Sequence, residues 1–152
     1  MPPKDGEPAD ADDIWLRNVT DKKHVRADGK LTSNAFTGRA ISPRAPGRPW
    51  DHELSGRLLS LTNDFEAEGR RYCEQRNKPF IGVMYAKVER IRRETNYVKT
   101  DVHYTPIKDG DKAHADLTMA GTNDDNLGPI RDWLQEVLRV SKPDPKCVLD
   151  TK

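Results

Sequence analysis

Val98-Lys99-Thr100-Asp101-Val102-His103-Tyr104-Thr105, then Asp109-Gly110, then Ala113-His114-Ala115-Asp116-Leu117-Thr118-Met119: this stretch decides the fold. Val98, Thr100, Val102 and Tyr104 alternate with Lys99, Asp101, His103 and Thr105, the period of a half-buried strand. The return segment alternates too, with Ala113, Ala115, Leu117 and Met119 on one face and His114, Asp116 and Thr118 on the other. Asp109-Gly110 supplies the hairpin turn between them. Counting outward from that turn pairs Tyr104 with Ala115 and Val102 with Leu117, so the apolar faces coincide. A slip of one residue would turn every apolar side chain to the wrong face. The same count sets His103 opposite Asp116 and Thr105 opposite His114.

Downstream, Gly128-Pro129 opens a helix in which Ile130, Trp133, Leu134, Val137 and Leu138 recur at helical spacing. That stripe is expected to pack on the apolar hairpin face, Trp133 and Leu134 contributing roughly 1.5 to 3 kcal/mol each. Residues 141–152 read as a flexible tail. Upstream, Phe80 to Tyr85 reads as a short buried strand entered through Pro79, followed by a helix with Val88 and Ile91 inward. Asn63 and Glu66 fit a capping box opening an earlier helix, which carries Phe65, Tyr72 and Cys73 near one face. Order is expected to begin at Ile14-Trp15-Leu16. A turn follows at Asp28-Gly29, and residues 37–50 form a basic Pro/Arg loop with Arg39, Arg44 and Arg48. Residues 1–13 hold five acids and almost nothing to bury, and so read as a disordered acidic tail. The expectation is one α+β domain over residues 14–140: a small, mostly antiparallel sheet with two or three helices packed on one face.

The 152 residues are 34% hydrophobic and 34% charged, with a net charge of +1. That total conceals opposed blocks: −4 in residues 1–13, +6 in residues 70–93 and −4 in residues 101–133. Apolar runs of a few residues exclude a membrane span, and the acidic start is unlike a secretory leader. Cys73 and Cys147 allow at most one bridge, so the expected compartment is the reducing cytoplasm.

Two groups of residues carry candidate chemistry. The polar hairpin face gathers His103, Thr105, His114 and Asp116, which reads either as a solvated sheet surface or as an acid–base site with His114, His103 and Asp116 as its catalytic candidates. A metal would need a third ligand that the sequence does not locate, so no metal and no cofactor are implied. The basic group comprises Arg70, Arg71, Arg76, Lys78, Lys87, Arg90, Arg92 and Arg93, with Tyr72, Tyr85 and Tyr97 near in sequence. Arginines clasp phosphate and tyrosines stack bases, so this group is a candidate nucleic-acid surface; its other reading is a solvated helical face. Glycine-rich phosphate loops, nucleophile elbows and paired-cysteine knuckles are all absent from the sequence. His103-Tyr104-Thr105 has the form of the His-x-Thr element of two-histidine phosphoesterases, but the second histidine lies eleven residues on, too near for that architecture.

Leu16-Arg17-Asn18-Val19, Gly29-Lys30-Leu31-Thr32-Ser33-Asn34-Ala35-Phe36 with Ala40-Ile41-Ser42 behind it, Ile81-Gly82-Val83-Met84 and Lys112-Ala113-His114-Ala115 together resemble a family of small uncharacterised bacterial proteins. In that family an N-terminal arginine precedes a Ser-x-Ala-Phe stretch, and an x-His-Ala strand follows a Pro-rich or Asp-rich loop. The resemblance covers roughly residues 14–119. This chain departs from the pattern at Ile41-Ser42-Pro43, where a valine often follows the serine. The resemblance picks out Arg17, Ser33, Phe36, Ser42 and His114; Phe36 reads as core, and Arg17, Ser33 and His114 would converge on an anion if their segments adjoin. Two functions are therefore expected. One is a non-enzymatic interaction module, an accessory subunit of a bacterial multi-protein system of the mobile-element or defence type, with a protein partner. The other is a small nucleic-acid-binding protein or metal-independent nuclease that uses His114 or His103 with Arg17, Ser33, Arg70, Arg71, Arg90, Arg92 and Arg93.

Overall fold

In the computed structural model of the chain, residues 3–37, 40–95, 98–123 and 125–141 are described. Alternating apolar residues produce an eight-stranded sheet, paired antiparallel throughout: β1 (Ile14–Val19), β2 (Ile41–Pro43), β3 (His52–Leu58), β4 (Gly82–Lys87), β5 (Arg93–Glu94), β6 (Lys99–Tyr104), β7 (His114–Ala120) and β8 (Arg139–Ser141). Their order across the sheet is β5-β6-β7-β3-β1-β4-β8, with β2 on β3. The helices are α1 (Phe65–Gln75), the single turn α2 (Val88–Ile91) and α3 (Leu127–Val137). Among the described residues no helix is long and apolar enough to cross a membrane.

The β6–β7 register is the one the alternation predicts: Tyr104↔Ala115, His103↔Asp116 and Val102↔Leu117. On the side where these apolar residues point, α3 lays Ile130 and Leu134 into a core with Trp15, Phe36, Leu54, Leu58, Met84, Val102, Leu117 and Met119. The stripe on α3 thus meets the hairpin face it was matched to.

The α+β class holds, but the helices do not share one face. In β1, Trp15 and Val19 join the α3 core, whereas Ile14 and Leu16 alternate to the other side and meet Val83, Tyr85, Phe65 and Phe80. Both faces of β1 and β4 are apolar, so each requires a cover, and α1 supplies the second. Asp64 rather than Asn63 caps α1, accepting from the Ala67 amide at 3.1 Å, while Glu68 Oε2 accepts from the amides of Asn63 and Asp64.

Of two stretches expected to lack regular structure, one is built into the sheet and the other is bonded along its β6 strand. Within the 37–50 loop lies β2, whose Pro43 sits at an edge where no amide is demanded of it; Arg39 lies outside the described residues. The acidic N-terminal stretch is held by its backbone: the Ala9 amide donates to the Val102 carbonyl at 2.8 Å, Gly6 to Tyr104 at 2.7 Å, and Tyr104 to Glu7 at 2.9 Å. Of the expected flexible tail, Ser141 closes β8 against β4, and residues 142–152, including Cys147, lie outside the described residues.

A discontinuity in the sheet positions the site. β3 pairs with β1 at Leu58 and Arg57 and with β2 from Leu54 back to His52, leaving Ser55 and Gly56 unpaired on that side. Trp15 crosses above Gly56, and its indole N–H donates to the Ala115 carbonyl at 3.1 Å on the next strand. A Cβ at residue 56 would lie 2.4 Å from the Trp15 ring and from the Leu16 carbonyl, so the crossing requires glycine.

Candidate anion-binding cleft

Where β1 and β3 part, Arg17 reaches across and donates from its guanidinium to the Ser55 carbonyl at 2.8 Å. No carboxylate of a described residue lies within ion-pair distance of it. Burial draws its pKa below the ordinary value, against the opposing pull of Tyr72 and Asp116; an arginine stays charged at neutral pH regardless. Arg17 lines a cleft of about 750 Å³ between the sheet and α1.

Arg57, on the same cleft, is paired with two carboxylates. Its Nε donates to Asp111 Oδ2 at 2.6 Å, and its NH2 donates to Glu68 Oε1 at 2.8 Å and Asp111 Oδ1 at 3.0 Å. This fork ties β3 to α1 and to the loop before β7. Burial raises the Asp111 and Glu68 carboxyl pKa values, but the bonds from Arg57 and from backbone amides outweigh it and hold both below the ordinary carboxylate range. The same two partners outweigh the burial of Arg57 and lift its pKa above its usual value.

Arg71, Arg76 and Lys78 border the cleft from α1 and the turn after it. The cations are thus Arg17, Arg57, Arg71, Arg76 and Lys78, against the carboxylates Glu68 and Asp111, an excess of three. An anion entering here meets a lining with net positive charge.

His114 lines the cleft at the start of β7. Its Nδ1 lies 2.8 Å from the Thr105 carbonyl and donates to it, since a carbonyl only accepts. Thr105 Oγ1, 3.0 Å from the same nitrogen, donates to Asp116 Oδ2 at 2.9 Å. The other carboxylate oxygen, Asp116 Oδ1, is buried without a hydrogen-bond partner among the described residues, 3.9 Å from His114 Nε2. His114 therefore has a second nitrogen turned toward an internal carboxylate.

The remaining expected site residues are dispersed. Ser33 is exposed in a single helical turn whose neighbour Phe36 is in the α3 core, where Arg131 donates to the Phe36 carbonyl at 2.9 Å; Ser33 does not border the cleft. Ser42 lies in β2. His103 shares a face with His114 but sits away from the cleft, stacked on Trp50 at 4.5 Å and bonded through Nδ1 to Thr118 Oγ1 at 2.7 Å. Burial pushes its pKa down, against the pull of Asp101.

The basic group divides in the same way. Arg70 pairs with Glu66 at 3.0 Å on the outside of α1. Arg90 is exposed on α2, Arg92 is bound to Asp101 at 2.8 Å and to the Ala9 carbonyl at 2.6 Å, and Arg93 lies over the Trp133 ring at 5.3 Å. These last three belong to the Lys99 end of the hairpin, whereas the cleft is at its turn end. Tyr85 is buried under α1 and unavailable for stacking, and Tyr97 lies outside the described residues. The fork of Arg57, Glu68 and Asp111 has no local sequence signal beyond the alternation of Glu53, Ser55 and Arg57 with Leu54, Gly56 and Leu58.

No protein-family model, curated protein or solved structure matches this chain.

Proposed function

We propose that the protein is a nucleic-acid-binding module that holds backbone phosphates in the Arg17 cleft. The observation that carries the reading is the half-buried Arg17 guanidinium, unpaired by any described carboxylate, on the wall of a cleft with an excess of three positive charges. Guanidinium donors match phosphate oxygens in pairs, and partial burial strengthens each contact. Of the two functions expected from the sequence, the protein-partner module is the less favoured, because the centres of protein interfaces are depleted in charge and this cleft is rich in it. We propose binding without a nuclease step: the two histidines are in separate surroundings, and both nitrogens of His114 face groups of the protein itself.

The test is fluorescence anisotropy of a labelled mixed-sequence oligonucleotide at increasing salt. Affinity is expected to fall steeply between about 50 and 200 mM salt, and Arg17→Met and Arg71→Ala are each expected to lower the log–log slope by about 1. Arg71 is exposed on α1, so its variant keeps the fold if Arg17→Met does not. Absence of binding at low salt, or a slope that neither variant changes, overturns the reading.

A further inference from the structure

The large apolar side chains that are exposed among the described residues are Tyr72 and Ile107, each at 46%, and both border the Arg17 cleft. They come from different elements, Tyr72 from α1 and Ile107 from the loop between β6 and β7. Tyr72 is also held in place. The Arg76 guanidinium lies 3.6 Å from its ring centroid and donates to the Tyr72 carbonyl at 3.2 Å, so one ring face is braced while the residue keeps its exposure. A cation–π contact of this kind helps to fix the ring, and an aromatic ring held in place is a surface on which a base can stack.

A site for phosphate alone needs cations and amides. It gains nothing from an exposed tyrosine and isoleucine, which cost free energy in water. The pairing of a cationic wall with an apolar rim matches a ligand that is anionic on one side and flat and apolar on the other. In a duplex the flat faces of the bases are covered by their neighbours; an unpaired nucleotide presents them. A cleft of about 750 Å³ also lies within the range, roughly 300 to 1,000 Å³, that encloses a single ligand of nucleotide scale.

Resting on the nucleic-acid reading above, we infer that the cleft takes unpaired nucleotides, a base stacking on Tyr72 beside Ile107 while the adjoining phosphate is held by Arg17 and Arg71. The ligand class is single-stranded nucleic acid.

The experiment compares three labelled probes at one salt concentration by anisotropy: a dA12 strand, the same strand annealed to dT12, and an abasic 12-mer that keeps the sugar–phosphate chain. The dA12 strand is expected to bind at least about 5-fold tighter than the other two, and Tyr72→Ala to bring it down to the abasic level, a loss of about 5- to 150-fold, the range of one stacked base. Tyr72→Phe is expected to restore the preference, since the ring and not the hydroxyl carries it. Equal affinity for all three probes, still weakened by Arg71→Ala, overturns this inference and leaves the nucleic-acid reading standing. No binding of any probe overturns both. An rA12 strand in a fourth arm shows whether the sugar is discriminated: equal or better binding than dA12 agrees with base stacking, whereas loss of all binding contradicts it. Tyr72 is exposed on a helix, so its variants are expected to keep the thermal midpoint, and that measurement accompanies the titrations.

Discussion

The two faces of the sheet are held by different physics. Against α3, interdigitating apolar side chains such as Trp15, Leu54, Leu117, Met119 and Leu134 are almost wholly excluded from water. Against α1, a smaller apolar patch around Leu16, Val83 and Tyr85 gives way, within a few residues, to the Arg57 fork and the Arg17 cleft. Burial on the first face is non-directional and large; on the second, each polar group depends on a specific partner. The contrast teaches where a site can be sited in so small a domain: on the face whose cohesion does not need the space.

If the core face carries the stability, Trp15→Ala is expected to cost about 3 to 5 kcal/mol in urea denaturation followed by circular dichroism. A cost below about 1 kcal/mol would remove the contrast altogether. Gly56→Ala, which forces the Trp15 ring and the Leu16 carbonyl to shift, is expected to cost about 1 to 3 kcal/mol. In the double variant with Trp15→Ala its cost is expected to shrink, the coupling that two residues in contact show.

The third comparison falls on the cleft face. Arg57→Met is expected to cost only about 1 kcal/mol at neutral pH, because Asp111 and Glu68 retain partial hydration. The sign with pH is fixed by the lowered carboxyl values. Their contribution is present in full above the ordinary carboxylate range and is lost as the pH falls through the lowered values of the folded state. Acid titration of stability is therefore expected to be shallower in Arg57→Met than in the parent; parallel curves would show that the fork does not set those values. Smallest of all, Arg93→Ala, at the far end of the hairpin, is expected to change stability by less than about 0.5 kcal/mol and to leave the salt slope of oligonucleotide binding unaltered. A reduced slope would extend the nucleic-acid path beyond the cleft.

What could be read from the sequence divides along the same line. The hairpin register was legible pair by pair from the alternation, whereas the turn was not: residues 105–113 join the strands, and the tight turn closes from the Gly110 amide to the Ile107 carbonyl, around Lys108-Asp109 rather than Asp109-Gly110. The α3 stripe was legible for the same reason. β3 was hidden by Gly56, which interrupts the apolar series at the place where Trp15 crosses. Arg17 and His114 were singled out in sequence and line one cleft, but Ser33, chosen with them, does not. The fork could not be read at all: Arg57 lies 54 residues from Asp111 and 11 from Glu68, on three different elements, and no local pattern records such an encounter. Composition also misread the acidic N-terminal stretch, since what holds it is backbone bonding, to which side-chain hydrophobicity is blind.

That stretch has a consequence for solution behaviour. β6 spends the hydrogen-bonding groups of its outer side on β5 at Lys99 and Thr100, and on Ala9, Glu7 and Gly6 at Val102 and Tyr104. An uncovered strand edge is a template onto which another chain can add. By lying along β6, with Asp5 anchored to Arg48 at 2.8 Å, the acidic segment occupies that template from within the chain.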